Sequence, residues 1–187
     1  MDDATASDTV VNAASALFYG RGVQAVGMDE VRSAAGISLK RMYSLFPSKE
    51  TLLMAVLRER NETWTTGILA SAETATTPRG KLLAIYDFLA GWFNQDDFRG
   101  CAFINSFGEL GAVAPTVAVA AREHKESFQA YVADLVEQAG GPASLAPQLA
   151  ILAEGAQTTA AISGTPDAAA HARAAAEVLI AAALPGD

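Results

Sequence analysis

The chain is 187 residues long, with 13 Lys and Arg against 21 Asp and Glu, a net charge of -8 and a pI near 4.7. That balance excludes indiscriminate attraction to nucleic acid or to an anionic membrane, and the length is ample for a buried core, which excludes a disordered chain. Among the hydrophobic residues, 40 are Ala, which buries little surface but is the best helix former, so the composition points to closely packed helices.

Strand signals are almost absent, whereas apolar residues recur at helical spacing from end to end, broken by Pro and Gly. A first helix is predicted over about 8–19, with Val10, Ala13, Ala14 and Leu17 on one stripe, ending at Gly20-Arg21-Gly22, where glycine suits a left-handed cap. A short second helix over 29–35 places Asp29 and Glu30 at the positive end of its dipole, with Met28 where a capping hydroxyl is expected. Gly36 then makes a tight turn. Ser38 caps a third helix from Leu39 to about Phe46, stopped by Pro47, which disfavours helical geometry in its predecessor. Ser48 caps a long fourth helix to about Ala72, with Leu53, Leu57, Trp64 and Ile68 on one stripe. Its length suits a spine joining two domains, drawn as 1–47 and 48–187.

Further helices are predicted at about 79–94, 99–111, 116–139, 143–163 and 167–183, separated by residues 94–97, Pro115, Gly140-Gly141-Pro142 and Gly164-Thr165-Pro166. The fold expected is all-α: a three-helix head, a long fourth helix and a C-terminal helical bundle, about nine helices in all. No run approaches the ~18 apolar residues of a membrane span. The N-terminus lacks the basic start and apolar stretch of a signal peptide, and the single cysteine, Cys101, has no internal disulfide partner, so a reducing cytoplasmic location is expected.

The second and third helices, joined by a turn around Gly36, have the spacing of a helix-turn-helix. In that motif the first turn of the second helix reaches base edges while its flanks grip phosphates. Ser38, Leu39, Lys40, Arg41, Tyr43, Ser44 and Lys49 are the candidate DNA-binding residues. Arg41 suits a bidentate bond to guanine, and Lys40, Tyr43 and Lys49 suit backbone oxygens. Residues 9–60 carry seven Lys and Arg against four Asp and Glu, a net +3, which leaves -11 on the rest. A basic head on an acidic body fits a DNA binder whose body serves another purpose.

The segment Gly36-Ile37-Ser38-Leu39-Lys40-Arg41-Met42-Tyr43-Ser44-Leu45-Phe46-Pro47-Ser48-Lys49-Glu50-Thr51-Leu52-Leu53 resembles the signature of the tetracycline-repressor (TetR) family of bacterial transcriptional regulators. Leu17-Phe18 followed by Gly20 is similar to that family's first-helix ending. The resemblance implies a homodimeric repressor whose two heads enter successive major grooves of a pseudo-palindromic operator, released by a small molecule in the body. By position, Tyr43 and Lys49 match phosphate-contacting residues, and Ser38 to Arg41 the start of the recognition helix. The chain departs from the pattern at Lys40 and Arg41, where many members have a small residue and a threonine. It departs again at the acidic Asp2, Asp3 and Asp8 ahead of or within the first helix, and at Met28.

In the body, Arg99 to Asn105 followed by Glu109-Leu110 resembles a stretch that opens a cavity-lining helix in a subset of the family. Aromatic residues gather in the central helices, and an apolar pocket with a few polar groups is the usual small-molecule site. Trp64, Phe88, Trp92, Cys101, Asn105, Phe107 and Phe128 are therefore the candidate contacts for an apolar or aromatic effector, a pattern that core packing also produces. Leu145, Leu149, Leu152, Ala153, Ala156 and Ala160, with Ala172, Ala176, Leu179 and Ala183, give the last two helices small apolar faces suited to a four-helix dimer interface, or to packing within one chain. His124 and His171 lack the Glu-x-x-His spacing of a di-iron bundle, Cys101 reads as an inert thiol, and no nucleophile elbow or phosphate loop is visible. No enzyme, metal or cofactor is expected. A helical ligand-binding or protein-interaction module that has lost DNA binding is the alternative.

Overall fold

The computed structural model describes residues 2–184, and among them the regular structure is helical throughout. The helices are α1 (Asp3–Arg21), α2 (Met28–Ala35), α3 (Leu39–Leu45), α4 (Lys49–Glu73), α5 (Pro78–Phe93), α6 (Ala102–Leu110), α7 (Pro115–Gln138), α8 (Leu145–Ser163) and α9 (Asp167–Ala183).

Most ends fall within a few residues of the expected ones, and the exceptions have local causes. Helix α1 starts at Asp3 rather than near residue 8 because the Asp2 carboxylate caps it, accepting from the Thr5 amide at 2.8 Å. Gly27, not Met28, occupies the N-cap of α2, so the missing hydroxyl is missing one residue earlier than expected. Helix α6 starts at Ala102 rather than 99, since Gly100 has φ +87, outside helical geometry. Pro115, expected as a separator, is the first residue of α7, where a proline sacrifices no hydrogen bond.

The chain divides into two compact units. The first comprises the residues up to Glu62 together with Ala102–Ala121. Its core holds Val10, Ala14 and Phe18 of α1, Val31 of α2, Met42 of α3 and Leu52, Leu53, Val56 and Leu57 of α4, all buried. Helices α1, α2 and α3 pack against one another. The first four turns of α4, α6 and the opening of α7 belong here, a larger grouping than the expected 1–47.

The second unit comprises Thr63–Cys101 and the chain from Arg122 onward. Here α5, α8 and α9 pack together around Leu82, Ile85, Leu89, Leu149, Ala153, Ala176 and Ile180. The buried Tyr86 hydroxyl donates to the Leu149 carbonyl at 2.8 Å, pinning α5 to α8, and burial pushes its pKa far up. On α9, Arg173 bonds Asp87 at 2.7 Å and Glu177 at 3.0 Å. Of the residues expected either at a dimer interface or packed within one chain, Leu145, Leu149, Ala153, Ala156, Ala160, Ala172 and Ala176 are buried in this core. The outer faces of α8 and α9 instead expose Ile151, Ile162 and Val178.

Candidate functional site

The α2–α3 turn is built by Gly36, whose φ of +67 closes α2 and lets its amide reach the carbonyls of Arg32 and Ser33. Ser38 follows as a true cap, its hydroxyl accepting from the Arg41 amide at 3.2 Å. Met42 and Phe46 are buried and fix one side of α3 in the core. The opposite side is open. Leu39 is 50% and Tyr43 47% exposed, and Lys40 and Ser44 are exposed beside them. Positions 39, 40, 43 and 44 lie on one face of a helix. Ser38 opens the same surface, and Ser48 caps α4 by accepting from the Thr51 amide at 3.0 Å.

Arg41 and Lys49 are differently placed. The Arg41 guanidinium is held 2.5 Å from the Asp3 carboxylate, so the donor expected to meet guanine has an acidic partner within the chain. Asp2 stands near it too: its carboxyl is lowered first by bonds from the Thr5 backbone and side chain, with a smaller contribution from Arg41. Lys49 is half-buried with its ammonium 5.9 Å from the centre of the Phe18 ring, a cation–π contact. The acidic start of the chain was visible in the sequence; its pairing with α3 was not.

Glu109 was also missed as a structural residue. Its carboxylate accepts from the Val23 amide at 3.0 Å and the Gln24 amide at 2.8 Å, and its carbonyl accepts from the Gln24 side chain at 2.6 Å. These bonds tie the end of α6 to the segment between α1 and α2. Gly22, with φ +88, leaves room for it: a Cβ there would stand 3.1 Å from the Glu109 Oε1. Nothing local in sequence announces a partner 86 positions away.

In the second unit, Trp64 stands at the centre of a ring cage. Its centroid lies 5.1 Å from Phe88, 5.2 Å from Trp92, 5.9 Å from Phe128 and 6.1 Å from His124, each edge to face. Phe98 extends the cage, 5.0 Å from Trp92. Gly67 lets the Phe88 ring come so close that an added Cβ would meet it at 2.5 Å. Burial, then the neighbouring Lys125 charge, lower the His124 pKa to about 4, so the imidazole is neutral at pH 7. The Tyr131 hydroxyl and the Glu154 Oε1 are buried without hydrogen-bond partners, while Lys125 lies 3.4 Å from the other Glu154 oxygen.

Four of the seven candidate ligand residues, Trp64, Phe88, Trp92 and Phe128, therefore come together. Asn105 and Phe107 do not join them: both are exposed on α6 in the first unit, with Phe107 53% exposed and its ring lying over Gly111. Helical spacing placed Phe107 on an apolar face of α6 that is turned outward. Cys101 is buried but lies outside the core that contains the cage. His124 and Phe98 belong to the cage and were not among the candidate ligand contacts. Among the described residues no group of three His, Cys, Asp or Glu can hold a metal ion, and no helix is long and apolar enough to cross a membrane.

Residues 10–56 match the family described as bacterial regulatory proteins, tetR family. The chain is 32% identical over 133 residues to an HTH-type transcriptional activator, FasR, of Mycolicibacterium smegmatis, an alignment covering 69% of this chain and 58% of that protein. The chain thus spans under two thirds of that relative's length. Among solved structures, a TetR-family transcriptional regulator from Streptomyces coelicolor superposes with a TM-score of 0.89 at 22% identity, covering 96% of each chain. A putative TetR transcriptional regulator from Streptomyces avermitilis superposes with a TM-score of 0.83 at 29% identity, over 95% of this chain and 97% of that one. Together with the helix-turn-helix formed by α2 and α3, these matches identify residues 10–56 as the segment shared by the tetR family of bacterial regulatory proteins and give the whole chain the fold of TetR-family regulators.

Proposed function

We propose that the protein is a dimeric, DNA-binding transcriptional regulator that sets α3 into the major groove of a pseudo-palindromic operator. The observation that carries this reading is the open face of Leu39, Lys40, Tyr43 and Ser44 on a helix fixed from behind by Met42 and Phe46. Such a face presents donors to base edges and phosphates at defined positions. Lys49 at the start of α4 grips the flanking backbone. Dimerisation uses the outer stripe of α8 and α9, where Ile151, Ile162 and Val178 are 69%, 82% and 69% exposed, because apolar side chains of that size repay burial against a second copy.

The effector is apolar or aromatic and contacts Trp64, Phe88, Trp92 and Phe128, with the Tyr131 hydroxyl and the Glu154 carboxylate as the polar groups that select it. We take its action as release of a repressor from the operator. The Mycolicibacterium relative is named an activator, so a reporter assay with and without the protein decides the sign. A reading without DNA binding draws support from the Asp3 carboxylate on Arg41.

Footprinting on DNA upstream of the protein's own gene tests the proposal. A protected palindrome, weakened on all sequences by Lys49→Ala and at particular bases by Lys40→Ala, is the expected result. Binding unaltered by both substitutions removes the assignment of α3, and absence of any protected site favours the module without DNA binding.

A further inference from the structure

Helices α1, α4 and α6 enclose a cavity of about 300 Å³ in the first unit, apart from the aromatic cage. Its floor is aliphatic, supplied by Leu53, Val56 and Leu57 of α4. Tyr19, Arg60, Asn105, Ser106 and Glu109 bring polar groups to its wall. Ser106 is only 4% exposed yet lines the cavity. Arg60 also lines it, and its guanidinium is fixed in place: Nε donates to the Ser15 hydroxyl at 3.0 Å, Nη2 reaches the Ser15 carbonyl at 3.4 Å, and the plane lies 3.8 Å from the centre of the Tyr19 ring. A cation so held loses little entropy on meeting an anion. The Glu109 carboxylate, which also lines the cavity, is turned onto the Val23 and Gln24 amides.

We infer that this cavity binds a small organic anion with an apolar body, its carboxylate or sulfonate on Arg60 and its hydrocarbon against the α4 floor. The volume stands at the lower end of small-molecule sites, about 300–1,000 Å³. Filling it also acts on the head. The occupant sits beside the Glu109 bonds that hold Val23 and Gln24, so its insertion pushes α6 from α1 and loosens the segment leading into α2. This second site therefore tunes the head without passing through the cage. Only that regulatory half rests on the DNA-binding reading, and the binding half is tested without DNA.

The probes are anilinonaphthalene sulfonate and the uncharged phenylnaphthylamine, titrated by fluorescence into the full-length protein whose melting curve is recorded alongside. Arg60→Gln is expected to weaken the sulfonate about tenfold, the worth of a good charge-assisted bond, while sparing the uncharged analogue. Arg60→Lys restores most of the loss, and Ser106→Met weakens the sulfonate by filling the space. Saturation with the sulfonate speeds hydrogen exchange at the Val23 and Gln24 amides. Wild-type titrations of the sulfonate in folded Arg60→Gln and Ser106→Met overturn the site. If the unsubstituted protein binds no sulfonate, the site is likewise rejected. Unchanged exchange at the two amides overturns its regulatory half alone, and operator binding is measured separately.

Discussion

Arg41 is paired with the Asp3 carboxylate at 2.5 Å, an acceptor that competes with the guanine edge or phosphate it would meet on the proposed operator. The ion pair is exposed, with 37% of the arginine and 78% of the aspartate side chain open to water, so it contributes only ~0–1 kcal/mol. Asp3→Asn is accordingly expected to tighten operator binding by no more than about fivefold and to steepen its salt dependence, read by titration at several ionic strengths. His124 gives a second test. Its folded pKa of about 4 lies below the ordinary 6.5, so the unfolded chain takes up the proton first as pH falls. Stability is full above pH 6.5 and declines toward pH 4 by up to ~3 kcal/mol. Melting temperatures of His124→Gln should fall less over that window than those of the parent. The exposed face of α3 was legible in the sequence from spacing alone, whereas the partners of Arg41 and the burial of His124 depend on chain segments that spacing does not relate.

At the scale of elements, the helix ends were legible wherever a cap, a proline or a glycine acts within a few residues. Ser38 and Ser48 cap the helices that follow them, and Thr77 caps α5 by accepting from the Gly80 amide at 3.1 Å. Long-range fixings were not legible, because a single side chain bonding a distant backbone leaves no periodic trace. Tyr86 is such a fixing. Tyr86→Phe removes the bond from α5 to the Leu149 carbonyl while keeping the ring, and a loss of ~1 kcal/mol is expected in denaturant unfolding, with the slope unchanged. Phe107 shows the opposite error: an apolar side chain at core spacing stands outward because α6 is partnered on another face.

For the whole molecule, composition already implied close-packed helices, and 40 alanines allow the approach of α8 and α9. The division of charge, +3 over residues 9–60 against -11 elsewhere, was also plain from the chain. Which face of the last helices stays open was not, since small residues serve a core and an interface equally well. Ile151, Gly155, Thr158 and Ile162 form the exposed stripe of α8. Ile162→Glu is expected to yield a folded monomer by sedimentation, with operator binding lost even though α3 is untouched, because one half-site alone does not hold a single head. The same stripe has a consequence for the cell. On the proposed dimer, two copies meet before either occupies DNA, so at low abundance occupancy climbs with the square of protein concentration. In that dimer, the exposed isoleucines let the regulator respond to how much of itself has been made.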